Sequence, residues 1–471
     1  MKRQITIIIY LLASSLAAQT PVAITADQRT GLEVTIYNNN LGLVKDTRAF
    51  DLAKGGRVEL LLEEVATKIQ PETVLPVSRT PKRAWVVLEQ NYEYDLLTPN
   101  TLLSKYVGKQ VQLLTYDADN EVTDRQRATL LSLNDGPIYQ VGREIHLRHP
   151  GHVILPEVPE ELVARPSLRW LAEADKGRHE IQVSYLTSGL TWKADYVLKI
   201  DQAATTGDLT GWITLNNQSG IPYPDATVKL VAGEVHRVTA RRGARPRFAT
   251  EALAMRAPQV QEEAFMDFHL YTIPWKTTIK QNQQKQVELL HKSGVGITRR
   301  YVVEMQGAVP RPPREEAQKI PVKARLNFMN SKANQLGDPL PGGIIRIYST
   351  DRGGHLQFAG EDRIPHTPRD ERVEINYGQA FDLVAEVKRL SYTRLGDRDK
   401  PRYEQATRVS LRNRKEKGQV AIEVRARFSG DWQIRKSTHD YEKAGAFTAV
   451  FTVPVPAGQE VIVEYTARVK Q

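Results

Sequence analysis

The segment GEDRIPHTP, residues 360–368, places two acids, one histidine and one threonine within nine positions bounded by glycine and proline. Glu361 and Asp362 could act as the acid and base of a glycoside hydrolase, which needs both carboxyl groups on one side of a sugar, about 5 to 9.5 Å apart. Adjacent residues of a strand point to opposite faces, so this pair requires a turn between them. With His366 the acids also supply ligand types for a divalent metal, but their spacing enforces no such site.

A structural interpretation explains more of the same residues. Gly360 permits a bend, and Pro365 and Pro368 fix their own φ angles and push the residues before them into extended conformations. The side chains of Asp362 and Thr367 can cap free backbone amides. We therefore favour a stiff connector, and keep the two acids and the histidine as weaker catalytic candidates.

A second group of candidates is a cluster of five arginines, Arg237, Arg241, Arg242, Arg245 and Arg247. No aromatic residue lies between them, and the export signal described below also argues against a nucleic-acid partner. We keep these arginines as candidate binding residues for an acidic envelope glycan or lipid.

Three histidines, His146, His149 and His152, suggest a metal site. In a strand, His146 and His149 would face opposite ways, and Pro150–Gly151 turns the chain before His152, so a solvated loop is the favoured interpretation. The chain has no cysteine, which rules out thiol catalysis, thiolate zinc sites and iron–sulfur clusters. We expect no metal and no cofactor.

The first eighteen residues have the layout of a secretory signal peptide. Lys2 and Arg3 form a basic start, Ile5 to Leu12 are apolar, and small residues from Ala13 to Ala18 follow. A membrane-spanning helix needs about 20 apolar residues, more than this segment supplies. We expect residues 1–18 to be cleaved and the mature chain to be periplasmic or secreted, without a transmembrane segment.

The chain is basic, with 65 Lys and Arg against 55 Asp and Glu among 471 residues. A positive exported protein attracts acidic polymers and anionic lipid head groups over about 8 Å at physiological salt. The same charge also serves solubility. It therefore permits an acidic partner without requiring one.

Alternating apolar residues predict half-buried strands. The inward positions are Val420, Ile422, Val424, Ala426 and Phe428; Val461, Val463, Tyr465, Ala467 and Val469; Trp192, Ala194, Tyr196, Leu198 and Ile200; and Ile181, Val183 and Tyr185, with a turn at Ser188–Gly189. Long helical periods are absent between the strands, so crossover connections are scarce and the sheets should be mainly antiparallel. The predicted fold is mainly β, with two or more antiparallel β-sandwich-like domains and few short helices.

Composition predicts the domain boundaries. We expect an N-terminal β domain at 27–155, a central β domain at 166–235, a flexible loop or linker at 236–267, a β extension of the central domain at 268–319, and a C-terminal β-sandwich domain at 320–471. Each would be large enough, alone or with its extension, to bury a core without disulfides.

Four stretches carry a resemblance to a known family: LPGGIIRIYSTDRGGHLQFAGEDRIPHTPRDERVEINYGQAFDL, GLTWKADYVLKI, YPDATVKLVAGEV and VTIYNNNLGLVKDTRAFDL. They resemble the exported bacterial proteins grouped as domain of unknown function 4139, relatives of the mucoidy inhibitor proteins. The resemblance implies export and a β-rich fold, and it brings no activity, ligand or catalytic residue. The central heptad-rich coiled coil of the mucoidy inhibitor type is absent here.

Three classes of function follow. The favoured one is an envelope structural or interaction protein without enzymatic activity, whose sandwiches present loops and edges to a protein or polymer. The second is a binding module for an acidic glycan or lipid that uses the arginines between Arg237 and Arg247. The third is an envelope hydrolase that uses Glu361 and Asp362 with His366.

Overall fold

The structure is a computed structural model, and it describes residues 21–81, 85–93, 97–117, 119, 121–147, 149, 151–159, 162, 166–201, 203–233, 261–265, 268–313, 315–395 and 402–470. Strands account for 66% and helix for 4% of this part, and the sheets are rich in antiparallel pairs. The predicted fold class is therefore confirmed. The expected signal peptide at 1–18 and the arginine cluster from Arg237 to Arg247 lie outside the described residues.

Alternating, β-branched and aromatic segments form the strands of the first half. They are β1 (Val22–Ile24), β2 (Arg29–Tyr37), β3 (Leu41–Leu52), β4 (Gly56–Leu62), β5 (Leu75–Ser78), β6 (Trp85–Glu93), β7 (Gln110–Tyr116), β8 (Val122–Ser132), β9 (Ile138–Val141), β10 (Glu144–Leu147), β11 (His152–Ile154), β12 (Ser167–Ala174), β13 (Gly177–Thr187), β14 (Leu190–Ile200), β15 (Thr206–Asn217) and β16 (Tyr223–Ala232).

The remaining strands follow the same patterns. They are β17 (Gln261–Phe265), β18 (Phe268–Thr272), β19 (Thr277–Ile279), β20 (Gln283–Gly296), β21 (Thr298–Gln306), β22 (Gln318–Met329), β23 (Gly343–Thr350), β24 (Leu356–Ile364), β25 (Arg372–Arg394), β26 (Arg402–Asn413), β27 (Val420–Arg427), β28 (Asp431–Ser437), β29 (Glu442–Lys443), β30 (Thr448–Val455) and β31 (Glu460–Lys470). Strand β17 occupies part of the segment that composition predicts to be a linker, because QEEAF carries no alternation that would reveal it.

Helix is sparse in the described residues. One α-helix, α1 (Pro99–Ser104), begins with Thr98, whose side chain accepts a hydrogen bond from the backbone amide of Thr101, and with a proline in its first turn. Both features are common at helix starts. Three 3-10 helices span Ala26–Gln28, Pro71–Thr73 and Lys332–Asn334. Across the described ranges, no helix is both long enough and apolar enough to cross a membrane.

The described residues form two compact units, each assembled from three chain segments. The first unit comprises Met1–Thr191, Asn216–Lys229 and Trp275–Gln283, and the second comprises Trp192–Leu215, Leu230–Pro274 and Gln284–Gln471, in both cases as far as these segments are described. The domain boundaries proposed from composition stay predictions.

Three sheets make up the first unit. One has the order β1-β4-β12-β6, with β1 and β4 parallel. Another has the order β16-β2-β3-β13-β5. Only the residues of β16 up to Lys229 belong to this unit. Strand β19 also pairs with β16. The third has the order β10-β9-β8-β7-β11. Its small core is formed by Tyr106, Val111, Leu113, Ala128, Leu130 and Tyr139.

Two large sheets dominate the second unit. One has the order β20-β15-β14-β23-β24, with β14 and β23 parallel. The other has nine strands in the order β28-β31-β26-β25-β22-β21-β27-β30-β29, with β21 and β27 parallel. Strands β17 and β18 pair as an antiparallel hairpin.

The nine-stranded sheet curls around a single core. Strands from both ends contribute to it, including Trp432 of β28 and Phe451 of β30. The ring of Tyr441 lies 6.1 Å from the ring of Trp432 and 5.8 Å from that of Phe451, so the two ends of the sheet meet there. Curling removes most of the exposed apolar face that an open sheet would leave in water.

The predicted inward faces are confirmed. Ile422, Val424, Ala426 and Phe428 are buried, and so are the inward positions of β14, β13 and β31 named above except Val461. Val420 and Val461, at the ends of their strands, are half-buried. Strand β13 ends and β14 begins around Ser188–Gly189, where Gly189 has a φ of 89°. A positive φ suits glycine, which explains this break in the pattern.

Candidate functional site

Glu361 and Asp362 lie next to each other in strand β24 and have different partners. Oε2 of Glu361 pairs with Nε of Arg346 on β23 at 3.2 Å. Oδ2 of Asp362 accepts a hydrogen bond from the backbone amide of Asn376, near the start of β25, at 2.7 Å. The backbone does not turn between the two acids, so they follow the alternation of an extended strand.

Gly360 makes the close approach of β24 to β25 sterically feasible. Its φ is 149°, and a Cβ atom there would lie 2.1 Å from the carbonyl oxygen of Tyr377. A β-bulge also falls here, because Gly360 pairs with Ile347 while Phe358 pairs with Tyr348. Only glycine fits this backbone, so the bend expected at this position has a packing cause.

The segment after β24 is held by backbone hydrogen bonds and a buried amide. Thr367 and Leu340 exchange two backbone hydrogen bonds of 2.9 Å. The fully buried Asn330 donates from Nδ2 to the carbonyl oxygens of Thr367 and Pro368 at 3.3 and 2.9 Å. Nδ1 of His366 accepts from the backbone amide of Gly342 at 3.1 Å. These contacts agree with a stiff connector.

The three catalytic candidates thus contact three separate segments: Glu361 contacts β23, Asp362 contacts β25, and His366 contacts the loop before β23. Across the described ranges, no group of three or more His, Asp or Glu side chains is placed to hold a metal ion. The catalytic assignment stays a prediction, and each of these side chains has a structural contact.

Glu361 also ends a polar row that crosses neighbouring strands. Nη1 of Arg346 lies 3.3 Å from Oδ1 of the buried Asp195 on β14, and Oγ1 of Thr214 on β15 donates to Oδ2 of Asp195 at 3.2 Å. Burial alone raises the pKa of Asp195, but the hydrogen bond and charge of Lys193, together with Arg346 and Thr214, outweigh it and lower the pKa. Such a row fixes strand register.

The histidine segment differs from the sequence prediction in two respects. His146 lies in strand β10 and His152 in strand β11, whereas a solvated loop was expected. Strand β10 ends at Leu147, so the alternation does not reach His149, and the rings of His146 and His149 lie 5.5 Å apart. Nδ1 of His149 accepts from the backbone amide of Gly151 at 3.0 Å. The ring of His152 packs edge-on against that of Tyr116. The expectation that His146 and His149 face opposite ways was wrong because it assumed a longer strand.

A cleft of about 920 Å³ opens on the outer face of the nine-stranded sheet, in the second unit. This volume is within the usual range of ligand sites, about 300 to 1,000 Å³. Its lining residues come from β21, β27, β30 and the segment that includes β29: Arg300, Glu304, Met305, Gln306, Glu423, Arg425, Arg427, Glu442, Ala444, Ala446, Phe447, Thr448, Val450 and Thr452. Sequence reasoning assigned no role to this surface.

Strand register explains why these side chains meet. Strand β27 buries its even-numbered residues, so its odd-numbered residues point outward. Parallel β21 sets Glu304 beside Arg425 and Gln306 beside Arg427, and antiparallel β30 sets Val450 and Thr448 on the other side of the same two arginines. On the outer face, each of these two arginines therefore has one cross-strand neighbour from β21 and one from β30.

Glu423 shares its carboxylate with two arginines. Nη1 of Arg300 lies 2.9 Å from Oε1, and Nη2 of Arg425 lies 3.0 Å from Oε2. The carboxylate side chain is 13% exposed, while the arginines are 34% and 27% exposed. Charge-assisted hydrogen bonds of this kind are stronger than neutral ones.

The ion-pair chain continues beyond the cleft. Arg425 lies 3.9 Å from Glu374, which pairs with Arg325, and Arg325 also pairs with Glu304 at 2.6 Å. A hydrogen bond from Lys323 is the main cause that lowers the pKa of Glu304, and it outweighs the burial that would raise it. Four cations and three carboxylates form this outer-face network: Arg300, Lys323, Arg325, Arg425, Glu304, Glu374 and Glu423.

Two charged residues of the lining stand outside that network. Within the part of the chain that the structure describes, Arg427 and Glu442 make no ion pair. Phe447, which lines the same cleft, is 51% exposed. The backbone carbonyl of Ala446 accepts a 2.9 Å hydrogen bond from Nε1 of Trp432, which anchors the segment that carries Phe447. The cleft thus combines an unpaired guanidinium with an exposed aromatic ring.

No protein-family model matches this chain, and no curated protein matches it.

Proposed function

We propose that this chain is a β-sandwich interaction protein of the cell envelope, which binds its partner through the cleft on the outer face of the nine-stranded sheet. The observation that carries the proposal is that two exposed residues line the same cleft: Arg427, which has no ion-pair partner among the described residues, and Phe447. Aromatic residues and arginine are the types that most often dominate binding energy at protein interfaces.

The contacts of the weaker catalytic candidates favour binding over hydrolysis. Glu361, Asp362 and His366 each engage a different segment, which is what a structural connector requires. A glycoside hydrolase would instead need two carboxyl groups that face one sugar. The envelope location rests on the sequence of residues 1–18, and the resemblance to the domain of unknown function 4139 family supports the same location.

The test is site-specific photo-crosslinking in the living host. A photoreactive amino acid is placed at Thr452, which lines the cleft, and in a matched control at Ser410, on β26 of the same sheet but outside the cleft. We expect an adduct at Thr452 that is absent at Ser410, in protein recovered from the envelope fraction.

Two results would overturn the proposal. One is recovery of the intact protein from the cytosol alone, which would exclude an envelope role. The other is an equal crosslinking pattern at both positions, which would mean that the cleft is not the binding surface. Enzyme activity lost in Glu361→Ala or Asp362→Ala at an unchanged melting temperature would instead favour the hydrolase.

A further inference from the structure

The charges of the cleft define which ligand it can hold. Each carboxylate of the outer-face network already has two cationic neighbours: Glu423 has Arg300 and Arg425, and Glu304 has Lys323 and Arg325. The network keeps a surplus of one positive charge, while the charges of Arg427 and Glu442 outside it cancel, and the lining itself carries three arginines and three glutamates. The preference for an anionic group therefore rests on the surroundings of Arg427 and not on the net charge of the cleft.

The position of Arg427 indicates where that group binds. Arg427 lies between Gln306 of β21 and Thr448 of β30 in the strand register, so neutral hydrogen-bonding side chains flank it. A guanidinium offers a planar fork of donors that matches the two oxygens of a carboxylate. Arg427 is thus a ready site for one carboxylate.

Most of the hydrocarbon in the lining lies on one side of the cleft. Phe447, Ala444, Ala446 and Val450 lie on the side of the cleft that β29 and β30 form. An apolar group bound there would cover the exposed ring of Phe447, which is favourable by about 25 cal/mol per Å² of apolar surface removed from water. The ligand therefore needs an apolar group next to its anionic group.

These features select among ligand classes. A neutral sugar could form hydrogen bonds with this lining, but it carries no anionic group that could pair with Arg427. A lipid surface would meet a recess that contains Glu304, Glu423 and Glu442 rather than a protruding basic face. A peptide supplies a carboxylate and an apolar side chain a few ångströms apart.

We infer that the cleft binds an extended peptide, with a carboxylate of the peptide on Arg427 and a neighbouring apolar side chain on Phe447. This inference rests on the proposed function and names the chemistry of its partner. The carboxylate is either an acidic side chain or a peptide C-terminus, and the experiment below separates the two.

The experiment measures the fluorescence anisotropy of labelled hexapeptides with the full mature chain. One peptide alternates leucine and glutamate and has an amidated C-terminus, and a second alternates leucine and glutamine with the same amide. A third alternates leucine and glutamine with a free carboxylate, and a fourth alternates leucine and lysine. We expect the glutamate peptide or the free-carboxylate peptide to bind, at least about tenfold more tightly than the glutamine amide, since a charged hydrogen bond contributes that much.

Matched variants test the two contacts separately. Arg427→Gln should weaken binding of the carboxylate peptide about tenfold and leave the glutamine amide unchanged. Phe447→Ala should weaken all leucine peptides alike. Arg408→Gln, on β26 of the same sheet, should change nothing, and Glu442→Gln should leave binding unchanged or tighten it, because it removes a negative charge from the lining.

Several outcomes overturn the inference. The glutamine amide could bind as tightly as the carboxylate peptides, or the lysine peptide could bind more tightly than they do. None of the four peptides could bind, or Arg427→Gln could leave the affinity for the carboxylate peptide unchanged. Circular dichroism of each variant shows whether the fold is intact. If none of the peptides binds but the crosslink at Thr452 is still observed, the inferred peptide ligand is wrong and the proposed interaction function stands.

Discussion

Two arginine clusters of this molecule use the same residue types in opposite ways. In the first unit Arg48 is fully buried and donates to Asp46 and to the backbone carbonyls of Ile24 and Glu63, with distances of 2.8 Å to each carbonyl. Arg29 completes the cluster with a 2.9 Å contact to Asp46. In the second unit the outer-face network is partly exposed.

The difference between the clusters lies in how fully their hydrogen-bonding groups are satisfied. The donors of a buried guanidinium need acceptors, because a buried charge without a partner destabilises the folded state by several kcal/mol. An exposed guanidinium such as Arg427 keeps water as its partner and can exchange it for a ligand. Burial thus fits the Arg48 cluster to a role in stability, and exposure leaves the outer face accessible for the binding that we propose.

The largest expected effect is that of Arg48→Met. It leaves the buried Asp46 with a single cation and removes the Arg48 donor from the carbonyls of Ile24 and Glu63, although the Ile24 carbonyl keeps the backbone amide of Glu63. We therefore expect a loss of about 3 to 5 kcal/mol in the first unit. Hydrogen exchange of peptides from β3 measures this locally, without assuming that both units unfold together.

The matched control for Arg48→Met is Arg425→Met in the outer-face network. Glu423 keeps Arg300 as a partner there, so the expected loss, followed by hydrogen exchange in β27, is about 1 kcal/mol or less. Equal losses in the two variants would contradict the distinction between the clusters.

Acid should affect the first unit more than the second. Burial alone raises the pKa of Asp46, but hydrogen bonds and charge from Arg29 and Arg48 prevail and lower it below its ordinary value of 3.8. A carboxylate with a lowered folded pKa stabilises the fold above its unfolded pKa and loses that contribution as pH falls through the folded pKa. The stability of β3 should therefore decline as pH drops below about 4.

Glu304 provides the comparison for the acid experiment. Its pKa is also lowered, but its side chain is 41% exposed, so solvent screens much of the effect. Hydrogen exchange at several pH values should show that Asp46→Asn flattens the acid dependence of β3, while Glu304→Gln leaves that of β27 nearly unchanged. A steeper acid dependence in β27 would refute this ordering.

The two units also differ in their tyrosines. Burial is the main cause that raises the pKa of Tyr185, beside the Arg48 cluster, well above its ordinary value. For Tyr301 burial acts in the same direction, but Lys415, whose Nζ donates to the phenol oxygen at 2.8 Å, lowers the pKa together with Arg299. Tyr301 should therefore titrate earlier than an ordinary tyrosine.

Ultraviolet absorbance follows the phenol titration directly. We expect an early phase that disappears in Tyr301→Phe and moves to higher pH in Lys415→Met. Tyr185→Phe should leave that phase intact, because the buried phenol ionises only when its unit unfolds in alkali. An early phase that survives Tyr301→Phe would show that another tyrosine carries it.

The sequence predicted the inward faces but not the cleft. Alternation placed Ile422, Val424 and Ala426 in the core because period two is a local property. The contact between Arg300 and Glu423 joins residues 123 positions apart through the parallel pair β21–β27, which no local pattern encodes. The sequence shows the outward-facing charged residues of β27, but it does not show which residues of the adjacent strands they contact.

In the GEDRIPHTP segment, too, the sequence predicted a local property of the backbone but not the partners of the side chains. Glycine and proline predicted its stiffness from their own backbone chemistry, and the bend at Gly360 follows that prediction. The partner of each acid depended on which strands lie beside β24. Arg346 belongs to β23, which pairs with β24, whereas Asn376 belongs to β25 of the nine-stranded sheet, so the separate contacts of Glu361 and Asp362 required the tertiary arrangement of two sheets.

The smallest expected effect is the change in the coupling energy of an ion pair with salt concentration. Double-mutant cycles built from Arg300→Met with Glu423→Gln, and from Arg29→Met with Asp46→Asn, give the coupling energy of one pair in each cluster. The exposed pair should contribute about 1 kcal/mol at low salt and lose most of it near 1 M salt, where the screening length falls to about 3 Å. The coupling of Arg29 with Asp46 should persist, because ions from solvent do not reach a carboxylate that is only 4% exposed. If both couplings fell together, solvent would reach both clusters, and the division between a structural and a binding arginine cluster would not hold.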